Sequence, residues 1–282
     1  MRSIKKIHNA ESRPIGDLKT HSPLPSRTLQ QIDPFIFLNH HGPQIYPPNN
    51  NGLPFGPHPH RGIETVTFII SGDIAHRDTS GAESVIDAGG IQWMTAGSGL
   101  IHAELSSDGF LQEGGELEIL QLWINLPAKH KMTQPFYKGV PAREMVKSRP
   151  ADGIEMDLIA GQWNGEEGSV STLTDVFLST MTFDKGTTIM LDVSTDRNIF
   201  FYVIKGKLEV NGHKISEFHL VEFNNDDEKI SIKALKESIL IFGHAQPLNE
   251  PMVAHGPFVM NTEEEIAQAY QDFREGKMGR WG

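Results

Sequence analysis

Apolar positions along this chain fall in short β-branched and aromatic runs, each stopped by glycine or a polar turn. Residues 64–73 (ETVTFIISGD) form one such run, and residues 198–207 (NIFFYVIKGK) repeat its design much later. Each is followed by further strand-like runs, at 82–86 and 91–95 in the first case and at 219–223 and 237–242 in the second. Alternation of this kind, bounded by turn residues, predicts strands. A strand, glycine turn, strand unit recurring at so long a separation predicts two duplicated β-domains, since the period is far too long for a solenoid. Between the halves lie Pro127, Pro135, Pro141 and Pro150 among mixed charges, the composition of a linker laid across a surface. The division expected is 1–135 for the first domain and 136–282 for the second.

The C-terminus changes period. Thr262 and Glu265 have the spacing of a capping box, in which hydroxyl and carboxylate each satisfy the other's backbone N–H. Ile266, Ala269, Tyr270 and Phe273 then recur at helical spacing, and Gly276 marks the stop. The fold class expected is therefore all-β, in two tandem domains with one short amphipathic helix at the end.

Composition narrows the chemistry. Cysteine is absent among the 282 residues, so disulfides, iron–sulfur clusters and thiolate nucleophiles are excluded. A net charge of −11 without a basic cluster is the wrong balance for neutralising phosphates, so no direct nucleic-acid partner is expected. No run of about 18 apolar residues occurs, and the basic start has no apolar stretch behind it. No membrane partner and a cytoplasmic location are expected.

Two short stretches carry donor groups. In 57–64 (PHPHRGIE), His58 and His60 are two apart, and in 97–104 (GSGLIHAE) so are His102 and Glu104. Alternate residues of a strand share a face, so two such pairs on neighbouring strands place four nitrogen and oxygen donors around one point. Pro57 and Pro59 argue that the first pair sits at a rim. Imidazoles and a carboxylate without thiolate suit Fe(II), Mn(II), Ni(II), Co(II) or Zn(II). Spacing also admits Glu64, which has the strand parity of His60. The remaining histidines, His76, His130, His213, His219, His244 and His255 among them, are read as ordinary core or surface residues. The His40-His41 pair before Gly42 is read as a surface turn, with the wall of a pocket as the alternative. The acidic stretch 224–228 lacks the spacing of a calcium loop, and no P-loop, GxGxxG, HExxH or GxSxG pattern occurs.

The H-x-H with a glutamate four residues on, then G-x-G-x-x-H, resembles the paired motifs of the cupin superfamily. More narrowly, PHPHRGIETVT (57–67), QWMTAGSGLIHAE (92–104), LPAKHKMTQ (126–134) and GPFVMNT (256–262) resemble the pirin family. That resemblance implies two cupin, jelly-roll-like barrels, with one Fe(II)-type ion in the first and no complete metal site in the second. It implies His58, His60, His102 and Glu104 as ligands, leaving Glu64 and Arg61 as residues that orient them. It implies a quercetin 2,3-dioxygenase type of activity, in which O₂ opens the central ring of a flavonol and carbon monoxide leaves. Glu104 would then be the catalytic base, and the partners a small aromatic substrate and O₂. The alternative is a non-enzymatic, iron-dependent redox-sensing co-regulator that binds a protein partner.

Overall fold

The computed structural model describes all 282 residues. Strands dominate, and the chain divides into two compact units. One comprises Ser12–Ser22, Ile36–Arg143 and Asn249–Gly282, and is called here the N-terminal barrel. The other, the C-terminal barrel, comprises Met1–Glu11, Pro23–Phe35 and Glu144–Leu248.

The C-terminal barrel is a seven-stranded sheet facing a four-stranded one. The larger sheet runs in the order Ile4–Asn9, His219–Phe223, Asn198–Lys205, Ser238–Ala245, Val176–Phe183, Ile154–Ala160, Val146–Ala151. The smaller runs Thr188–Asp192, Lys229–Ala234, Lys207–Val210, His213–Ser216. The alternation along each strand decides what lies between them. Met181, Phe201, Val221 and Leu240 of the larger sheet meet Leu191, Leu208, Ile230 and Ile232 of the smaller in one apolar cluster. At about 25 cal/mol per Å² of buried apolar surface, that cluster is the main stabilising element of this unit.

The N-terminal barrel repeats the plan. Ile63–Ser71 is central to a seven-stranded sheet, flanked by Ile91–Thr95 and Gly115–Asn125, with Phe136–Val140 beyond the former. A four-stranded sheet runs Phe55–His60, Leu100–Leu105, Asp73–Asp78, Glu83–Asp87. The duplicated runs at 64–73 and 198–207 thus occupy equivalent central strands. The expected capping box is present: Glu265 N–H donates to the Thr262 hydroxyl at 3.2 Å, and Thr262 N–H to the Glu265 carboxylate at 3.0 Å. It opens the helix Glu263–Arg274.

Three expectations are corrected. The domains are not contiguous at 135/136, because both chain ends cross over. Ile4–Asn9 pairs with His219–Phe223 and so belongs to the C-terminal barrel, while the terminal helix belongs to the N-terminal one. An exposed strand edge leaves its N–H and C=O groups unpaired, and the N-terminal segment satisfies one such edge. Next, the proline-rich 127–152 stretch is more than a linker, since Phe136–Val140 and Val146–Ala151 each form an edge strand of a different barrel. Proline is compatible with such positions because the missing N–H can face outward. Finally, His40 and His41 lie inside the strand Phe35–Tyr46 and are buried.

Candidate metal centre and its cavity

Phe55–His60 is the edge strand of the four-stranded sheet, paired only with Leu100–Leu105. This explains how Pro57 and Pro59 are accommodated in a strand at all. The register sets His58 directly opposite His102, with His60 opposite Leu100. Side chains of His58, His60 and His102 therefore converge, with ligand nitrogens all within 4.8 Å of one another. Their ring centroids are 4.4 Å apart for His58–His102 and 5.0 Å for His60–His102.

Hydrogen bonds assign the nitrogens. His58 Nδ1 lies 2.7 Å from the Gly56 carbonyl, and His60 Nδ1 lies 3.2 Å from the Pro257 carbonyl. A carbonyl only accepts, so in both rings Nδ1 carries a proton, and Nε2 is the nitrogen left for another partner. His102 is 1% exposed, and neither of its ring nitrogens has a hydrogen-bond partner. An orphaned buried imidazole is costly unless something else occupies its lone pair. Burial, reinforced by His58, pushes His60 down to about 3, the Pro257 carbonyl opposing the shift. Burial, then its histidine neighbours, lowers His102 well below the usual range. Neutral imidazoles are the form a metal requires. The donor set, its convergence and the orphaned His102 together fit a divalent transition metal.

Glu104 shares the strand of His102 but is held differently. Its carboxylate accepts from the Thr67 hydroxyl at 2.5 Å and from Gln121 Nε2 at 3.0 Å, and it stands apart from the three-imidazole cluster. A strand irregularity between His102 and Glu104 displaces it in the register. Glu64 is fully buried, its Oε1 accepting from Thr95 at 2.7 Å and from Trp93 Nε1 at 3.2 Å. Arg61 is buried, with Nε donating to the Ser98 carbonyl at 2.7 Å and Nη1 to Asp272 at 2.9 Å. Its link to the site is through the backbone next to His60.

A cavity of about 210 Å³ opens beside the imidazoles, and both His58 and His60 line it together with Glu104. Its walls include Phe37, Phe55 and Trp123, with Gln121 and Asn39 as polar groups. Phe37 stacks on Trp123 at 4.4 Å, and Trp123 meets His60 edge-on at 4.9 Å. An apolar, aromatic wall with a few polar groups suits a planar ligand. Of the two readings of the His40-His41 pair, the pocket wall holds for His41, which lines this cavity, and burial pushes it down to about 3. Sequence reading missed His76, which stacks on Tyr137 at 3.8 Å, bonds Asp78 at 2.9 Å and lies 5.4 Å from His102. The spacing of His76 and Asp78 is itself an alternate-residue signal. Nothing in Phe37, Asn39, Thr67, Gln121 or Trp123 distinguishes them in sequence from other strand residues.

The C-terminal barrel contains no such constellation. His213, His219 and His244 do not converge with other donors, and the interior is filled with apolar side chains.

Comparison with known proteins is consistent along the whole length. Residues 17–124 match the family model described as Pirin, and residues 178–279 match Pirin C-terminal cupin domain. A Pseudomonas aeruginosa protein named "Putative quercetin 2,3-dioxygenase PA2418" is 34% identical, covering 99% of both chains. A "Pirin-like protein" of Solanum lycopersicum is 35% identical over 89% of this chain and 84% of its own. The crystal structure of a quercetin 2,3-dioxygenase from Acinetobacter baumannii superimposes with a TM-score of 0.92 at 32% identity, covering 99% of each chain.

Proposed function

Because the chain belongs to the pirin family, we propose that it is a metal-dependent dioxygenase acting on a flavonol such as quercetin. O₂ is consumed, the central ring opens, and one carbon leaves as carbon monoxide. The observation that carries this reading is the convergence of three imidazoles, one with both nitrogens orphaned, beside an aromatic-walled cavity. His58, His60 and His102 are the residues proposed to hold the ion, with Glu104 as the carboxylate donor. When bound, an Fe(II)-type ion supplies Lewis acidity and one-electron chemistry toward O₂.

The chain's own residues do the rest. The stacked Phe37 and Trp123 and the facing Phe55 orient a planar ring and exclude water from the reacting face. Glu104 takes the proton of the flavonol hydroxyl, geometry permitting this because it borders the same cavity as His58 and His60. Thr67 and Gln121 hold that carboxylate at the cavity wall. The cavity is smaller than the roughly 300–1,000 Å³ of pockets that engulf drug-sized ligands, so it takes the reacting part of a flavonol, with the remainder projecting through its mouth.

Oxygen uptake by protein loaded anaerobically with Fe(II), with and without quercetin, tests the reading when metal content is assayed on the same sample. Uptake that requires both quercetin and about one metal per chain, with carbon monoxide released and all of it lost in His60→Ala, supports the proposal. Mn(II), Ni(II), Co(II) and Zn(II) loaded in parallel identify which ion supports turnover. Full metal occupancy without uptake removes the flavonol and favours the iron-dependent co-regulator. Absence of any bound metal removes both.

A further inference from the structure

The segment Asn249–Gly282 follows the C-terminal barrel in sequence yet packs within the N-terminal one. Its contacts gather on the backbone that carries the H-x-H pair. The Pro257 carbonyl accepts from His60 Nδ1 at 3.2 Å, and Val259 N–H donates to the Arg61 carbonyl at 3.1 Å. Lys131, buried to 1% exposure, places its ammonium on Val259 O at 2.9 Å, Gly62 O at 3.0 Å and Asn125 Oδ1 at 2.6 Å. Gly62 has φ +81°, and a Cβ there would lie 2.0 Å from the Val259 carbonyl oxygen. Further along, Asp272 on the terminal helix receives Arg61 Nη1 at 2.9 Å. Met278 closes over Gly99, and its carbonyl accepts from Thr79 at 2.7 Å.

These contacts have a chemical consequence. The proton that Pro257 fixes on Nδ1 of His60 leaves Nε2 as the lone-pair nitrogen facing His58 and His102. A histidine's second nitrogen sets the tautomer and ring orientation of the first. We propose that Asn249–Gly282 is a working part of the metal centre, in which Asp272 and Arg61 are positioning residues that seat the Pro257 carbonyl on His60. Metal affinity and docking of the segment are then coupled, and by thermodynamic necessity the coupling is reciprocal. The inference rests on the metal reading above.

Co(II) is the probe, because its visible spectrum reports ligand geometry without any need for turnover. Asp272→Asn keeps shape and removes the charge facing Arg61, whereas Asp272→Glu keeps the charge. Co(II) affinity by chelator competition is expected to fall about tenfold or more in Asp272→Asn, with an altered visible spectrum, and Asp272→Glu is expected to restore most of both. In the wild-type chain, which needs no variant to fold, saturating Co(II) is expected to slow limited proteolysis within 249–282. Unchanged affinity and spectrum in Asp272→Asn, with cleavage of the segment indifferent to Co(II), would overturn the proposal while leaving the metal site standing. A wild-type chain that binds no Co(II) removes the site and the inference together.

Discussion

His102 buries two ring nitrogens without a partner for either. Leaving buried polar groups unsatisfied costs about 1–3 kcal/mol, so this residue works against the stability of the metal-free fold. His102→Leu is therefore expected to raise the stability of metal-free protein by about that amount, while abolishing metal uptake. Urea unfolding in the presence of a chelator, with metal analysis of the same variant, checks both halves. A variant less stable than the metal-free parent would show that His102 has a partner in solution. His244 gives a second residue-scale expectation. Burial, then the neighbouring Arg197 cation, holds it down to about 3, with Arg197 Nε donating to its Nδ1 at 2.7 Å. The unfolded imidazole titrates near 6.5. Below that pH the unfolded chain takes up a proton that the folded one refuses. Stability is thus intact above about 6.5 and is lost as pH falls toward 3, at up to about 1.4 kcal/mol per unit. His244→Phe, which keeps the stacking on Phe177, should flatten this slope in unfolding titrations between pH 7 and 4.

Among elements, the edge strand Phe55–His60 was legible only in part. Alternate spacing places His58 and His60 on one face whatever the fold, and two prolines mark the strand as one that does not donate on both sides. That its single neighbour is Leu100–Leu105, with His58 opposite His102, follows from pairing distant in sequence. The turn after it depends on Gly62, whose positive φ and contact with Val259 exclude a side chain. Gly62→Ala is expected to cost at least about 1–2 kcal/mol from the backbone conformation alone, and more because the Val259 strand must move. A melting temperature lowered by only a degree would contradict this. The terminal helix was read completely, from cap to stop, because Thr262, Glu265 and the apolar positions are all local signals. Its location was not: a short amphipathic helix specifies that one face is buried, without specifying against what.

For the whole molecule, duplication was visible because each half needs the same strand, glycine turn, strand grammar to form a sheet with one buried face. The second half carries no H-x-H, and its interior is filled with apolar side chains. The cluster of His58, His60 and His102 could be foreseen from periodicity, because a period of two is a property of the strand itself. The exchange of chain ends between barrels could not be foreseen. Strand edges in the two sheets compete for the same kind of backbone partner, and tertiary packing selects which terminal segment satisfies which edge. The same holds for the aromatic walls of the cavity, and for the hold of Thr67 and Gln121 on Glu104. Sequence determined the donor types and their shared faces, through local periodicity and chemistry. Only the tertiary structure decided their neighbours, because those neighbours arrive from strands far along the chain.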